Sequence, residues 1–446
     1  MRKYINKAFL GCSLVVALQG CSLDEMPKTM LTEEQVYGDD ENIKLLVSGL
    51  YTQWRNTKQD RGGFMFTLGT DEAKQGAQQI IENNVQGSLD SYNNALNPSN
   101  TSLAEQWSKR WPVITAAAKA IHYAKDPYIQ AQARFIRATL NFELAMLWGP
   151  IPIIDQADMR EARQPEKDVF EIIIQDLEFA IENLQDNPTD KKIPSRGAAL
   201  ALLGKVYLYV PESTGLRNYE TAITYFDQVI PKYQLVDNYA DLFNTSLNQN
   251  NSESIYAFQF VNISPDNNMT QHHVGSRAVA DLDGNCYFGG YDLLMPTAYY
   301  ANNLEEGGVW EPGDSRQNAS IRYDFTLPDG RKPKITWTGQ QDELEPHIKK
   351  FEDIRTQGKQ NFWYSGGLIY YLRLSDIILS KAECLNELGK SQEAITLLNT
   401  TVRKRAFKDG IPTAHNWQGL TQAQLRENIM DERIRELGFE GWRRMD

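Results

Sequence analysis

Two stretches of the sequence decide the fold: SRGAALALLGKVYLYV at residues 195–210, and RLSDIILSKAECLNELGKSQEAITLLNTTVRKRAF at residues 373–407. In the first, apolar side chains recur at the i, i+3, i+4, i+7 spacing of one face of an α-helix. These positions are Ala199, Leu202, Leu203, Val206 and Tyr207. In the second, the same spacing appears twice, in residues 374–385 and 394–402, with Gly389 where a helix C-cap is expected. The first stretch therefore predicts one amphipathic helix and the second predicts a helical pair.

The two stretches align once residues 218–233 are added to the first. LLGKVYLYV matches ILSKAECLN and YETAI matches SQEAI, so small residues recur at Gly204, Ala222, Ala382 and Ala394. Helix pairs with small residues at their contact are typical of tetratricopeptide-like hairpins, which stack to bury their apolar faces. A third pair is predicted from residues 131–148 and 168–184. The predicted fold is mostly α, with such hairpins at about 41–60, 103–234 and 371–446.

Between about residues 235 and 370 the helical periodicity fades. Asn, Asp, Gly and Pro become dense, as in NTSLNQNNSES at 244–254 and LPDGRKPK at 327–334. A long irregular stretch inside a compact protein is usually functional. The sequence therefore predicts that this insert forms a large, loop-rich, ligand-binding side of the protein.

The N-terminus has the pattern of an export signal. Arg2, Lys3 and Lys7 precede an apolar run of about ten residues, which is too short to span a bilayer. The run ends in Leu-Gln-Gly-Cys, which resembles a bacterial lipobox, so residues 1–20 are predicted to be a lipoprotein signal peptide and Cys21 the site of lipid attachment. Several acyl chains on Cys21 would give stable membrane anchoring.

Charge, spacing and cysteine usage argue against nucleic-acid binding, a metal site and a disulfide framework. The net charge is −12, and it becomes −15 without residues 1–20, which argues against binding nucleic acid. No cofactor or metal site is expected, because the side chains of His272 and His273 diverge and DLDGN at 281–285 lacks the twelfth-position Glu of a calcium loop. Of the cysteines after Cys21, Cys384 lies in a helical pattern and is expected to be a buried free thiol, so a disulfide framework is not expected.

Three groups of residues resemble motifs of the SusD/RagB family of outer-membrane nutrient-binding lipoproteins. The first is a helix with an Ala-Arg-aromatic start and an aromatic-Gly end, followed by a proline-flanked strand: Ala133, Arg134, Phe135, Trp148, Gly149, Pro152 and Ile153. The second is an arginine-led helix: Arg373, Ala382, Glu383, Asn386 and Glu387. The third is the C-terminal group Glu432, Arg433, Glu436, Leu437, Phe439, Glu440 and Gly441. Together with the lipobox, the resemblance covers the whole chain.

The resemblance implies a single SusD-like domain over residues 21–446, lipid-anchored and exposed at the surface of the cell outer membrane. Such a protein captures a glycan, does no chemistry, and delivers the ligand to a partner SusC-like TonB-dependent transporter. The chain stops at Met445-Asp446, inside the last motif, where family members usually continue. A truncated C-terminus is therefore expected.

Ligand-binding residues are predicted from the chemistry of sugars, whose apolar faces stack on aromatic rings and whose hydroxyl groups bind amides and carboxylates. Tyr291 is the first candidate, since it follows Gly289-Gly290 in what is expected to be a flexible turn, and its position resembles one that often supplies a stacking aromatic in the family. The other candidates are Tyr92, Asn94, Trp310 and Asp71.

Two other classes of function remain open. A peptide-binding or partner-only scaffold could use grooves between the hairpins. A secreted glycoside hydrolase would need two facing carboxylates, and the sequence contains many carboxylates but no paired catalytic motif.

Overall fold

The helices predicted from the apolar periodicity form the larger part of the structure, and the mostly α, tetratricopeptide-like fold class is confirmed. The computed structural model describes residues 33–59, 66–76, 87–155, 162–188, 192–247, 251–333, 345–359 and 363–446. The signal peptide and Cys21 lie outside these residues. Within the described residues, no helix is both long enough and apolar enough to cross a bilayer.

The N-terminal part of the described chain is built from helices that pack in sequence order. They are α1 (Glu33–Tyr37), α2 (Asp40–Gln59), α3 (Ser88–Ser91), α4 (Thr101–Ser108), α5 (Trp111–Tyr123), α6 (Pro127–Trp148), α7 (Glu166–Asn183), α8 (Arg196–Tyr209) and α9 (Tyr219–Val229). The predicted pairs α6 with α7 and α8 with α9 pack against each other, as do α5 with α6 and α7 with α8. Both faces of α8 are buried in the main core, which explains why its apolar residues extend beyond one stripe.

The C-terminal hairpin repeats this plan. It consists of α14 (Leu374–Glu387), α15 (Ser391–Thr400), α16 (Val402–Ala406) and α17 (Gln422–Leu437). Gly389, two residues after the end of α14, has φ +75°, which confirms its predicted role at the helix end. The predicted second helix is interrupted at Thr401, whose non-helical backbone angles (φ −122°, ψ −95°) separate α15 from α16.

Short elements make up residues 235–370. The helices are α10 (Thr270–Val274), α11 (Arg277–Leu282), α12 (Ala298–Ala301) and α13 (Arg316–Ser320). Three antiparallel two-stranded sheets are present in the described part of the chain: β1 (Ala73–Lys74) with β3 (Met295–Pro296), β2 (Ser254–Phe258) with β6 (Ile369–Arg373), and β4 (Ile321–Arg322) with β5 (His347–Ile348). Since β6 leads directly into α14, the β2–β6 sheet connects the insert to the C-terminal hairpin.

A buried network of arginines and carboxylates joins the insert to the last helices. Glu436 of α17 accepts hydrogen bonds from the guanidinium groups of Arg316, Arg373 and Arg405. Glu432, one turn earlier, accepts from Arg316 at 2.7 Å, Arg403 at 2.8 Å and Arg435 at 2.9 Å. We call Glu253, Arg316, Arg373, Arg403, Arg405, Glu432, Arg435 and Glu436 the arginine–carboxylate network; all are buried. Although burial raises the pKa of Glu436, the three guanidinium groups hold that pKa well below its usual range.

The close contact between α8 and α9 gives the first testable prediction. A Cβ added at Gly204 would lie 2.4 Å from Cε1 of Phe226, whose ring is fully buried. We expect Gly204→Ala to lower the free energy of unfolding by about 1–3 kcal/mol, because the ring cannot move without disturbing the core. Urea unfolding followed by circular dichroism measures the change.

Gly49 of α2 provides the matched control. Apart from its chain neighbours and the backbone of its own helix, no atom of the described residues comes within 4 Å of a Cβ built there. We expect Gly49→Ala to raise the free energy of unfolding by roughly 0.5–1 kcal/mol through helix propensity. Equal losses in the two variants would show that crowding at Gly204 is not the cause.

Candidate functional site

Tyr291 is held by a turn that packs directly against α10 and α11. A Cβ added at Gly290 would come within 2.1 Å of the carbonyl oxygen of His272, and one at Gly289 would lie 3.0 Å from the main-chain nitrogen of Ala280. The N–H of Tyr291 donates to the carbonyl oxygen of His272 at 2.9 Å. The two glycines therefore permit close approach of two backbones, and the turn that carries Tyr291 packs against α10 and α11.

Tyr291 is one side of a small aromatic cluster. The ring of His272 stands edge-on to it, with centroids 4.3 Å apart and an interplanar angle of 67°. The ring of Trp363 lies 4.8 Å from His272 at 82°, and the guanidinium carbon of Arg277 lies 5.5 Å from the centre of the Tyr291 ring. We call these four residues the Tyr291 surface. Because Tyr291, Trp363 and Arg277 are partly exposed and His272 is buried, the cluster offers two aromatic side chains and a cation to a ligand.

Asp353 connects the segments that carry Trp363 and His272. Its carboxylate is fully buried and accepts a hydrogen bond from Ser365 Oγ at 2.9 Å. Its main-chain N–H donates to Gln271 Oε1 at 2.7 Å. Since Ser365 lies two residues after Trp363 and Gln271 directly precedes His272, one buried residue holds both sides of the Tyr291 surface.

Three further side chains donate to the Asp353 carboxylate. They are Thr245 at 2.7 Å, Asn262 at 3.0 Å and Arg355 at 2.8 Å. Burial raises the pKa of Asp353, but the hydrogen bonds from Arg355, Thr245 and Asn262 outweigh it and hold that pKa well below its usual value. An ionised acceptor with this many donors fixes the geometry of the surrounding loops before any ligand arrives.

The structure places Tyr92 and Asn94 on a neighbouring exposed loop. Tyr92 directly follows α3 with φ +46°, and its hydroxyl lies 3.4 Å from the carbonyl oxygen of Gly69, to which it donates. Asn94 is exposed, and its carbonyl oxygen accepts from the side chain of Asn97. Both side chains remain accessible, so their role in binding stays a prediction.

Asp71 has a structural partner. Its carboxylate binds the guanidinium of Arg443 with an Nε–Oδ1 distance of 2.7 Å, which ties the segment 66–76 to the C-terminus. The end of the same segment reaches the Tyr291 surface, because a Cβ at Gly76 would lie 1.9 Å from the carbonyl oxygen of Asp292. Asp71 therefore has an evident part in connecting these segments, whereas a role in ligand binding stays a prediction.

Trp310 belongs to the core. Its ring is fully buried and packs edge-to-face on Tyr300, with centroids 5.3 Å apart. The indole N–H donates to the carbonyl oxygen of Tyr300. The prediction that Trp310 stacks on a ligand is wrong, since no face of its ring reaches the surface.

Three residues of the Tyr291 surface are missing from the sequence-based candidates. His272 was considered there only as a metal ligand, and Trp363 lies 72 positions from Tyr291 in the chain. Arg277 forms a partly exposed ion pair with Asp281 at 3.4 Å, which from sequence is an ordinary i, i+4 helix pair. The sequence around these three residues contains no short-range pattern that would have identified them.

Cys286 and Cys384 are buried free thiols, and burial raises the pKa of Cys286 to about 11. Among the described residues, no group of three or more His, Cys, Asp or Glu side chains could hold a metal ion.

Glu72, next to Asp71, gives a prediction about pH. Burial raises the pKa of Glu72 to about 8, against the opposing charges of Arg443 and Lys350. The unfolded chain loses this proton near the ordinary value of 4.5. The contribution of Glu72 to the free energy of unfolding is therefore fully present below about pH 4.5 and is lost as the pH rises through about 8.

We expect Glu72→Gln, which resembles the protonated acid, to remove this loss. The difference in unfolding free energy between variant and wild type should grow in favour of the variant from about pH 5 to about pH 8.5 in urea titrations. Glu305→Gln, at an exposed carboxylate, is the control and should show no such trend. A constant difference between the Glu72 variant and wild type would contradict the prediction.

Two family models match the chain. The model of the SusD family matches residues 244–446, and a model described as starch-binding, associating with outer membrane, matches residues 23–208. Among curated proteins, SusD-like protein P2 of Formosa agariphila is 26% identical over 449 residues, which cover 96% of this chain and 87% of that protein.

Solved structures show the same architecture. A SusD-like protein from Bacteroides fragilis superposes with a TM-score of 0.73 at 20% identity, covering 93% of this chain and 86% of that one. A laminarin-binding SusD-like protein superposes with a TM-score of 0.72 at 23% identity, covering 91% of this chain and 90% of that one. These likenesses show the fold, in which helical hairpins carry an irregular side.

Proposed function

The chain belongs to the SusD family, and from this premise we propose that it is a non-catalytic, glycan-binding lipoprotein of the outer membrane. It is anchored through Cys21, exposed at the cell surface, and captures an oligosaccharide through the Tyr291 surface. It then delivers the ligand to a partner SusC-like TonB-dependent transporter.

The Tyr291 surface is the observation that carries the proposal. A sugar ring has an apolar C–H face that suits an aromatic ring, and hydroxyl groups that a guanidinium can bind. Tyr291, Trp363 and Arg277 supply these groups side by side. The hydrogen bonds to Asp353 hold the loops in place, so that little ordering is needed when a ligand binds.

Similarity supports the ligand class. One matching family model is described as starch-binding, and a protein of the same fold is described as laminarin-binding. Both are polymers of glucose, but loop side chains differ between proteins of one fold, so we propose a glycan without naming its sugar.

Isothermal titration of residues 22–446 against plant, mucin and microbial oligosaccharides tests the proposal. We expect saturable heat with one class of glycan, and at least about tenfold weaker binding by Tyr291→Ala, since stacking on a central aromatic contributes roughly 1–2 kcal/mol. Chromatography of the mixture should show uncleaved oligosaccharide.

Tyr123→Ala is the matched control, because Tyr123 is an exposed tyrosine of α5 in the helical part of the protein. It should bind like the wild type. A folded wild-type protein without heat across the panel would contradict glycan binding, and equal binding by the Tyr291 variant would remove the assigned surface.

A further inference from the structure

A cavity lies beside the β2–β6 sheet, on a different part of the protein from the Tyr291 surface. Its walls are the α7–α8 connection near Asp186–Pro188 and Ile193–Ser195, and the turn after α9 at 231–234. Its floor is formed by β2 together with Gln259 and Leu368. The cavity has a volume of about 500 Å³, within the range of small-molecule sites in proteins.

The cavity runs along the edge of β2. Four consecutive residues, Ser254 to Ala257, line it. Side chains alternate between the two faces of a strand. Four consecutive residues can therefore line one cavity only where the cavity follows the edge of the strand. In the described part of the chain β2 pairs with β6 alone, so the main-chain groups along its other edge have no strand partner there.

Polar side chains add to these main-chain groups. The cavity is lined by the side-chain amides of Asn187, Gln234 and Gln259 and by the hydroxyl of Ser254. None of these four side-chain groups forms a hydrogen bond with another described side chain or main-chain group. Amides both donate and accept, which matches the dual character of sugar hydroxyl groups. Gln259 and Ser254 are partly buried, whereas Asn187 and Gln234 are exposed.

The charge of the cavity is balanced. Lys232 and Asp186 at its mouth form an ion pair of 2.6 Å and neutralise each other. Apolar surface is supplied by Ile193, Leu368 and the partly buried ring of Tyr233, whose hydroxyl lies 3.1 Å from Ser195 Oγ. A neutral ligand with many hydroxyl groups and some C–H surface fits this lining better than an ion does.

We infer that this cavity is a second carbohydrate pocket, which takes one or two units of a neutral sugar. It shares no lining residue with the Tyr291 surface. The two sites are therefore separable by mutation, and the inference does not depend on the Tyr291 surface.

Saturation-transfer NMR on residues 22–446 tests the inference, with D-glucose, D-galactose, D-xylose, maltose, cellobiose and lactose as probes. We expect saturation of at least one probe by the wild type and by Tyr291→Ala. Gln259→Leu, which replaces an amide by an apolar group of similar size, should reduce the signal at least about fivefold, since a lost hydrogen bond in a site costs roughly 1 kcal/mol.

Gln228→Leu on the exposed face of α9 is the matched control and should leave the signal unchanged. If Gln259→Leu fails to fold, Gln234→Leu at the exposed rim makes the same test. The inference is overturned if no probe is saturated, if the Gln259 variant keeps the full signal, or if Tyr291→Ala abolishes it. Loss of oligosaccharide binding by Tyr291→Ala with retained saturation of a small sugar would separate this pocket from the proposed function.

Discussion

Replacing Glu436 by alanine is expected to lower the free energy of unfolding by about 3–5 kcal/mol, the largest effect expected of any substitution described above. The side chain accepts hydrogen bonds from Arg316, Arg373 and Arg405, all buried. Its removal leaves three guanidinium groups with one carboxylate fewer in a region that water does not reach. The cost comes from the uncompensated charges rather than from the pair energy itself.

Urea unfolding of wild type, Glu436→Ala and Glu387→Ala measures the effect. Glu387 is the matched control, because its ion pair with Arg426 at 2.7 Å lies near the surface and is expected to contribute less than about 1 kcal/mol. Glu436→Gln keeps the volume and removes the charge, and should resemble the alanine variant. A loss no larger than that of Glu387→Ala would mean that the network adds little to stability.

Acid should weaken the same network. Because the folded-state pKa of Glu436 lies well below its usual range, the stability it contributes is present above the pKa of the unfolded chain. It is lost as the pH falls toward the folded value. Wild type and Glu436→Gln should therefore differ most near neutral pH and converge in acid.

Replacing Asp353 by alanine is expected to weaken glycan binding by at least about tenfold, although Asp353 touches no ligand in the proposed site. Its carboxylate holds Ser365 near Trp363, and its N–H holds Gln271 beside His272. Without the carboxylate, buried donors from Thr245, Asn262 and Ser365 lose their shared acceptor, at a cost of about 1–3 kcal/mol for each group left unpaired. The rings of Trp363 and Tyr291, both partly exposed, would then no longer be held in a fixed orientation relative to each other.

Arg355→Ala distinguishes the loss of the Asp353 acceptor, which positions the loops, from the loss of the charge that pairs with it. The Arg355 side chain is 30% exposed whereas the Asp353 carboxylate is buried, and Thr245, Asn262 and Ser365 still donate to that carboxylate when Arg355 is removed. We therefore expect a smaller loss of binding than in Asp353→Ala. Titration calorimetry gives the affinities. The difference in tryptophan fluorescence between proteins with and without Trp363 reports whether the loop that carries Trp363 keeps its position. Unchanged affinity in a folded Asp353→Ala protein would show that the loops keep their places without this carboxylate.

The helical half of the fold could be predicted from the sequence because its information is local. Apolar spacing predicts α8, α9, α14 and α15, and the small residue Gly204 predicts a close helix contact that the structure contains. The break at Thr401 was missed, since the apolar spacing continues through it and a single non-helical residue leaves no periodic signal.

The site was predictable only in part, because its members meet through tertiary structure. Tyr291 could be chosen for its aromatic ring beside two glycines, yet its neighbours His272 and Trp363 come from distant segments. Trp310 failed as a candidate because an indole whose N–H finds a main-chain acceptor can be buried at no polar cost, and a sequence does not show that acceptor. The charged residues of the arginine–carboxylate network likewise resemble surface residues in a sequence, since charge is rarely buried.

The arginine–carboxylate network also bears on the order in which the chain folds. Glu253, Arg316 and Arg373 are synthesised well before Glu432 and Glu436, and 120 positions separate Arg316 from Glu436. Until α17 packs against the insert, the buried arginines lack the carboxylates of that helix, so we expect the insert to complete its folding only then. Contacts of such long sequence separation slow folding and leave the middle of the chain exposed to proteases and chaperones meanwhile. We therefore expect the packing of α17 to be a late step of folding, which completes the buried contacts of the insert.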